Sequence, residues 1–139
     1  MTYKIIGKYI KNLKFYIPNT KAFFLLSKNI SNYKINIDIK SVQIKQNIIE
    51  VLTSLSLTTV KENFEKIDTQ ITYSTVVELN GENTQKKEIE KIILIDVPTE
   101  IYSELRQIFI FLFENSGFKD IKISENIDFG ELYKMKKTQ

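Results

Sequence analysis

The sequence predicts an α+β fold in which a four-stranded antiparallel sheet is followed by a long helix and a short C-terminal helix. Three observations predict it. Apolar residues alternate with polar ones through most of the first 79 positions. That period of two is the signature of half-buried strands. The links between the alternating runs are short and the runs are one-faced, which favours antiparallel pairing. After Asn80-Gly81-Glu82-Asn83 the period changes, and the rest reads as helix.

The first strand is assigned to 3–17. Tyr9, Leu13, Phe15 and Ile17 share a face, Gly7 is placed for a bulge, and Pro18 ends the run. The link from Pro18 to Asn32 carries Phe23, Phe24, Leu25 and Leu26 and is expected to cross over the sheet. A second strand, 33–43, alternates Ile35, Ile37 and Ile39 with Lys34, Asn36, Asp38 and Lys40. A third, 47–60, sets Ile49, Val51, Leu55 and Leu57 against Glu50, Ser54 and Ser56. A fourth, 65–79, sets Ile67, Ile71, Tyr73, Val77 and Leu79 against Asp68, Gln70, Thr72 and Ser74. Short turns are expected near Gln46-Asn47 and Lys61-Glu62-Asn63.

Segment 85–96 reads as a short helix leading to Pro98. A long helix is predicted from Pro98 to Ser116. Proline suits a first helical turn, Glu100 the positive end of the dipole, and Gly117 the C-terminal cap. A last helix starts at Asp128, with Glu131 three residues on as in a capping box.

Composition excludes much chemistry. There is no cysteine and no histidine. Disulfides, thiolate nucleophiles, Cys/His zinc sites and a Ser-His-Asp triad are therefore out of reach. The carboxylates show no calcium-loop spacing, so no cofactor or metal is expected. A binding protein is expected rather than an enzyme. The net charge is +3, and all basic residues except Arg106 are lysines scattered along the chain. Scattered lysine reads as a solvated surface, so no nucleic-acid partner is expected. The start lacks a long apolar stretch, and the run from Ile108 to Phe113 is too short for a bilayer. No membrane insertion and a cytoplasmic location are expected, with 1–139 as one domain.

One stripe of the long helix is Ile101, Leu105, Ile108 and Leu112. Phe109, Ile110, Phe111 and Phe113 extend it around the cylinder. A helix apolar on every side must be covered on every side. One sheet covers only one, so a second subunit is expected on the outer face.

The order of motifs resembles the SecB family of protein-export chaperones. Tyr9-Ile10-Lys11-Asn12-Leu13-Lys14-Phe15-Tyr16-Ile17-Pro18-Asn19 is similar to the family's opening Tyr-Ile-Lys-Asp-Leu-Ser-Phe-Glu-x-Pro-Asn. Ile35 to Ile39, Ile49-Glu50-Val51 and Val77-Glu78-Leu79-Asn80-Gly81 match its next strands. Val97-Pro98 stands at its Cys-Pro element, and Ile101 to Arg106 matches its helix start loosely. Ser116-Gly117-Phe118, Ile121-Lys122-Ile123 and Ile127-Asp128-Phe129-Gly130-Glu131-Leu132-Tyr133 follow in the family's order. The likeness runs from about 3 to 133.

The resemblance implies helices on one face of the sheet and a homotetramer built as a dimer of dimers. It implies an ATP-independent holdase for unfolded preproteins, with a groove lined by Phe23, Phe24, Ile35, Ile37, Ile39, Phe129, Leu132 and Tyr133. Such a groove binds extended segments through backbone contacts and apolar pockets. The subunit interface is expected at Thr69, Ile71, Tyr73, Ile108, Phe109, Phe111 and Leu112. The family delivers cargo to the motor SecA through acidic positions on the outer sheet face. Here those positions are Asn12, Tyr16 and Gln70, none of them acidic. Complementarity to the motor's basic docking tail is lost there, so docking through them is expected to be weak or to use Glu50 or Asp68. Three other readings compete. They are a SecB-like chaperone dedicated to one client such as an antitoxin, a basic nucleic-acid-binding domain, and a small-molecule-binding α+β domain.

Overall fold

A computed structural model of the chain describes residues 2–28, 33–59, 68–81, 85–118 and 123–137. Its strands are β1 (Thr2–Tyr16), β2 (Tyr33–Lys45), β3 (Ile48–Thr59) and β4 (Asp68–Asn80). Its helices are α1 (Thr20–Lys28), α2 (Lys86–Lys91), α3 (Val97–Glu114) and α4 (Phe129–Lys137), with a π turn at Ile92–Asp96. The expected Lys61-Glu62-Asn63 turn, Ile67 and Ile121-Lys122 lie outside the described residues.

The four strands form one antiparallel sheet in the order β1-β4-β3-β2. β2 and β3 join through a two-residue turn in which Asn47 takes φ 70°. Asparagine tolerates this left-handed conformation better than most residues do. β1 and β2 stand on opposite edges, so the link between them crosses the sheet. That link is helical, which the alternation did not reveal. Asn19 caps it, its Oδ1 accepting from the Ala22 N–H at 2.9 Å, and Ala22 and Leu26 are buried one turn apart.

β1 departs from the predicted pattern. Tyr9 stands opposite Ser74, whereas Leu13 stands opposite Ile71 and Phe15 opposite Thr69. Register shifts lie between Ile5 and Gly7 and between Ile10 and Asn12. The extra residue in the second shift reverses which face the later residues take. Leu13 and Phe15 therefore face the helices, and Tyr9 faces away.

The described helices lie on one side, and two apolar clusters fill the space beneath them. The larger joins Leu55, Ile71 and Tyr73 of the sheet to Ile101, Leu105, Phe109 and Phe113 of α3. The smaller joins Ile49, Val51, Val77 and Leu79 to Ile92 and Val97. The buried stripe of α3 is thus Val97, Ile101, Leu105, Phe109 and Phe113. The stripe read from sequence differed, because Ile108 and Leu112 are only half buried.

Nor does the long helix begin afresh at Pro98. The backbone stays right-handed helical through Lys91, Ile92, Asp96 and Val97, so α2, the π turn and α3 form one continuous rod. At the far end Gly117 takes φ 99°, and the Phe118 N–H bonds back to the Phe113 carbonyl at 3.0 Å. A Cβ on Gly117 would meet the Phe23 ring at 3.2 Å, so this glycine also lets α1 pack against the end of α3.

Candidate functional site

The C-terminal helix is held over the open edge of the sheet by specific bonds. Asp128 caps α4, its Oδ1 accepting from the Glu131 N–H at 3.0 Å. The segment before it is tied to α3 twice. The Tyr102 hydroxyl donates to the Ser124 carbonyl at 2.8 Å, and Arg106 Nε donates to the Ile123 carbonyl at 3.1 Å. The Phe129 ring stands edge-on to Tyr102 at 6.0 Å and is 2% exposed. Burial and a low dielectric push the Tyr102 hydroxyl above the usual tyrosine range.

Between α4, the π turn and β2 lies a cavity of about 290 Å³. It is lined by Ile37, Ile39, Glu90, Leu94, Phe129, Leu132 and Tyr133. Five of these were expected from the sequence. Glu90 and Leu94 were not, since nothing in the alternation links segment 85–96 to the last helix. The one carboxylate at this site, Glu90, accepts a hydrogen bond from the Tyr133 hydroxyl at 2.8 Å. The cavity can take an apolar side chain, because its walls are otherwise aliphatic and aromatic.

Three of the expected groove residues are not brought to it. Ile35 packs on the larger core cluster, and Phe23 packs on Phe118 with ring centroids 4.8 Å apart. Phe24 is 53% exposed on α1. A crossover helix, rather than an extended link, carries these two rings to the end of α3. Among the described residues, no cluster of three or more acidic side chains is placed to hold a metal ion.

The expected interface residues divide. Thr69, Ile71, Tyr73 and Phe109 are buried within the single chain. Tyr73 also donates to Glu104 at 2.9 Å, and burial with this partner pushes its hydroxyl up to about 12. These four already have intrachain neighbours. Phe111 remains 63% exposed, with Ile108 and Leu112 half buried beside it, so the free side of α3 rests on these three.

The outer face of the sheet carries Asn12, Tyr16 and Gln70. They pair with Thr72, Asp68 and, across β3, Ser56. Asn12 and Gln70 border a shallow dent with Lys11, Lys40 and Asp38. Glu50 does not offer a substitute charge there. It is 5% exposed and accepts from Tyr9 at 2.5 Å, Ser74 at 2.7 Å and Lys11 at 3.0 Å. The Tyr9, Ser74 and Lys11 bonds hold its carboxyl down at about 2. A carboxylate so enclosed is unavailable to a partner. The Asp68 side chain lies outside those described.

Comparison with known proteins places the chain among relatives. Residues 1–139 match the family model described as preprotein translocase subunit SecB. A Pelagibacter ubique chain assigned as a protein-export protein SecB is 44% identical over 134 residues, covering 96% of each chain. The protein-export protein SecB of Anaplasma phagocytophilum is 24% identical over 142 residues, covering 94% of this chain and 89% of its own. Among solved structures, a Mycobacterium tuberculosis SecB-like chaperone in complex with a peptide from an antitoxin superposes with a TM-score of 0.65. It covers 90% of this chain and 88% of its own at 7% identity, a likeness of fold alone.

Proposed function

The chain belongs to the SecB family, and on that premise we propose that it is an ATP-independent holdase that keeps unfolded preproteins competent for export. The apolar cavity between β2, the π turn and α4 carries this reading. A holdase needs exposed apolar surface and no chemistry. Here that surface lies in a groove between rigid elements, where it is less prone to self-association. Extended client segments would place apolar side chains on Ile37, Ile39, Leu94 and Leu132.

Client binding by several weak contacts calls for several grooves, and we assign the active form as a homotetramer in the cytoplasm. The surfaces that support assembly are Phe111 on α3, at 63% exposure, and Ile10 and Leu13 on edge strand β1, at 43% and 42%. Light scattering coupled to gel filtration, followed by aggregation suppression of an unfolded preprotein, tests both points. A monomer that leaves aggregation unchanged would sink the reading.

Delivery to SecA is proposed to be weak. The observation behind this is the neutral set Asn12, Tyr16 and Gln70, together with an enclosed Glu50. Titration with purified SecA checks it. Submicromolar binding that salt does not affect would contradict it.

A further inference from the structure

We propose that the π turn at Ile92–Asp96 is the positioning device of the client groove, and that Leu94 is the side chain it presents. The proposal deepens the holdase reading and rests on it. The established features of the cavity name its walls; the π turn explains how one of those walls comes to face it.

A regular α-helix turns about 100° per residue, so positions five apart stand roughly 140° apart around the axis. Ile92 and Val97 are five apart, yet both are buried in the same cluster with Val51 and Val77. The Val97 N–H closes on the Ile92 carbonyl, an i to i−5 bond that stacks the two side chains over the sheet. Upstream the pattern is ordinary α: the Ile92 N–H reaches the Glu88 carbonyl. Downstream the buried positions Val97, Ile101, Leu105, Phe109 and Phe113 recur every four. The π turn therefore accommodates one extra residue without lifting the flanking side chains out of the core.

Pro98 supplies the local cause. It has no N–H, and in an unbroken α-helix its ring would clash with the carbonyl of Leu94, four residues back. Widening the turn relieves that clash. The Thr99 hydroxyl then donates to the Ile95 carbonyl at 2.6 Å, giving this widened turn a partner for a main-chain oxygen. The result is a bulge of the kind that recurs at functional sites. Leu94 sits in it, on the side away from the core, and lines the cavity with Glu90 one turn earlier. Closing the bulge would turn Leu94 away from its present direction relative to Ile92 and Val97.

Three variants of the full chain test this, read by the affinity for a fluorescein-labelled apolar peptide too short to fold. Deleting Ile93 in a Pro98→Ala background brings Ile92 and Val97 to a spacing of four, the spacing α3 already uses, and removes the ring that would clash with the Leu94 carbonyl, so the core survives and the bulge closes. Peptide affinity is expected to fall about tenfold with circular dichroism and oligomer size unchanged. Leu94→Ala, which removes groove surface and little else, is expected to lose roughly fivefold. Leu94→Met, of similar volume, is expected to stay within about twofold of wild type. Should the deletion fail to fold, Leu94→Ala and Leu94→Met decide. The proposal is overturned if Leu94→Ala binds the peptide as tightly as wild type, or if the folded deletion does. A wild-type chain that neither binds the peptide nor suppresses aggregation defeats the holdase reading itself, an outcome distinct from selective loss in the variants.

Discussion

On the helix-covered face of the sheet, Val51, Leu55, Ile71 and Val77 are fully buried against α3 and its neighbours. On the outer face of the same strands, Glu50 sits at 5% exposure in a cage of Tyr9, Ser74 and Lys11. The covered face is held by area removed from water. Among the described residues it even tolerates buried hydroxyls without partners, at Thr53, Thr69 and Thr75. Among the described residues, no helix buries the outer face. It is held by hydrogen bonds that fasten β1 to β3 across β4, with Ser54 and Thr72 bonded at 2.9 Å beside them. Burial alone does not mark a core. Glu50 is as inaccessible as Tyr73, for the opposite reason.

Breaking the covered face should cost most. Phe109→Ala removes a fully buried ring between α3 and the sheet, and is expected to destabilise the chain by about 3–5 kcal/mol. Chemical denaturation measures it. A loss no larger than that of a surface mutation would mean the larger cluster is not the main core.

The outer face should yield less, and in a pH-dependent way. Glu50 has a folded pKa of about 2 against an ordinary value of 4.5. A depressed carboxylate contributes stability that is complete above its unfolded value and lost as pH falls through its folded one. Wild type should therefore weaken between about pH 4.5 and pH 2. Glu50→Gln should lose about 1–3 kcal/mol at neutral pH and show a flatter acid limb. Parallel acid limbs for the two proteins would remove Glu50 from the account.

Thr53→Val replaces an unpartnered buried hydroxyl with a methyl group. A gain of about 1 kcal/mol is expected, measured by thermal unfolding. A loss would mean the hydroxyl has a partner that matters.

The smallest effect is expected where the two faces meet at the β1 edge. Lys8 pairs with Glu104 at 2.7 Å, and both are substantially exposed. Lys8→Met should cost at most about 1 kcal/mol, and the cost should shrink at high salt. A large, salt-independent cost would indicate that the pair is buried in the assembled protein.

Much of the fold was legible because strands write their burial pattern in consecutive residues. The bounds expected for β2, 33–43, and β4, 65–79, agree with Tyr33–Lys45 and, over its described part, with Asp68–Asn80. Gly117 and Asp128 announced helix ends through their own conformational preferences. α1 was missed, although Asn19 with Ala22 and Leu26 carries a cap and a helical spacing that could have found it. Of the cavity lining, Ile37, Ile39, Phe129, Leu132 and Tyr133 were expected together from the family resemblance. Glu90 and Leu94 were not.

By itself the sequence determined the number of strands, their order along the chain, the helical C-terminal half and the absence of histidine and cysteine chemistry. Only the tertiary structure decided which face Tyr9 takes, that Glu50 is enclosed, and that Leu94 turns toward the groove. The physical reason is the same in each case. Periodicity counts residues at a fixed step, and a β-bulge or a π turn inserts one residue that resets the count. Whether that residue is absorbed depends on the partner strand or core beneath it, and those lie far away in sequence.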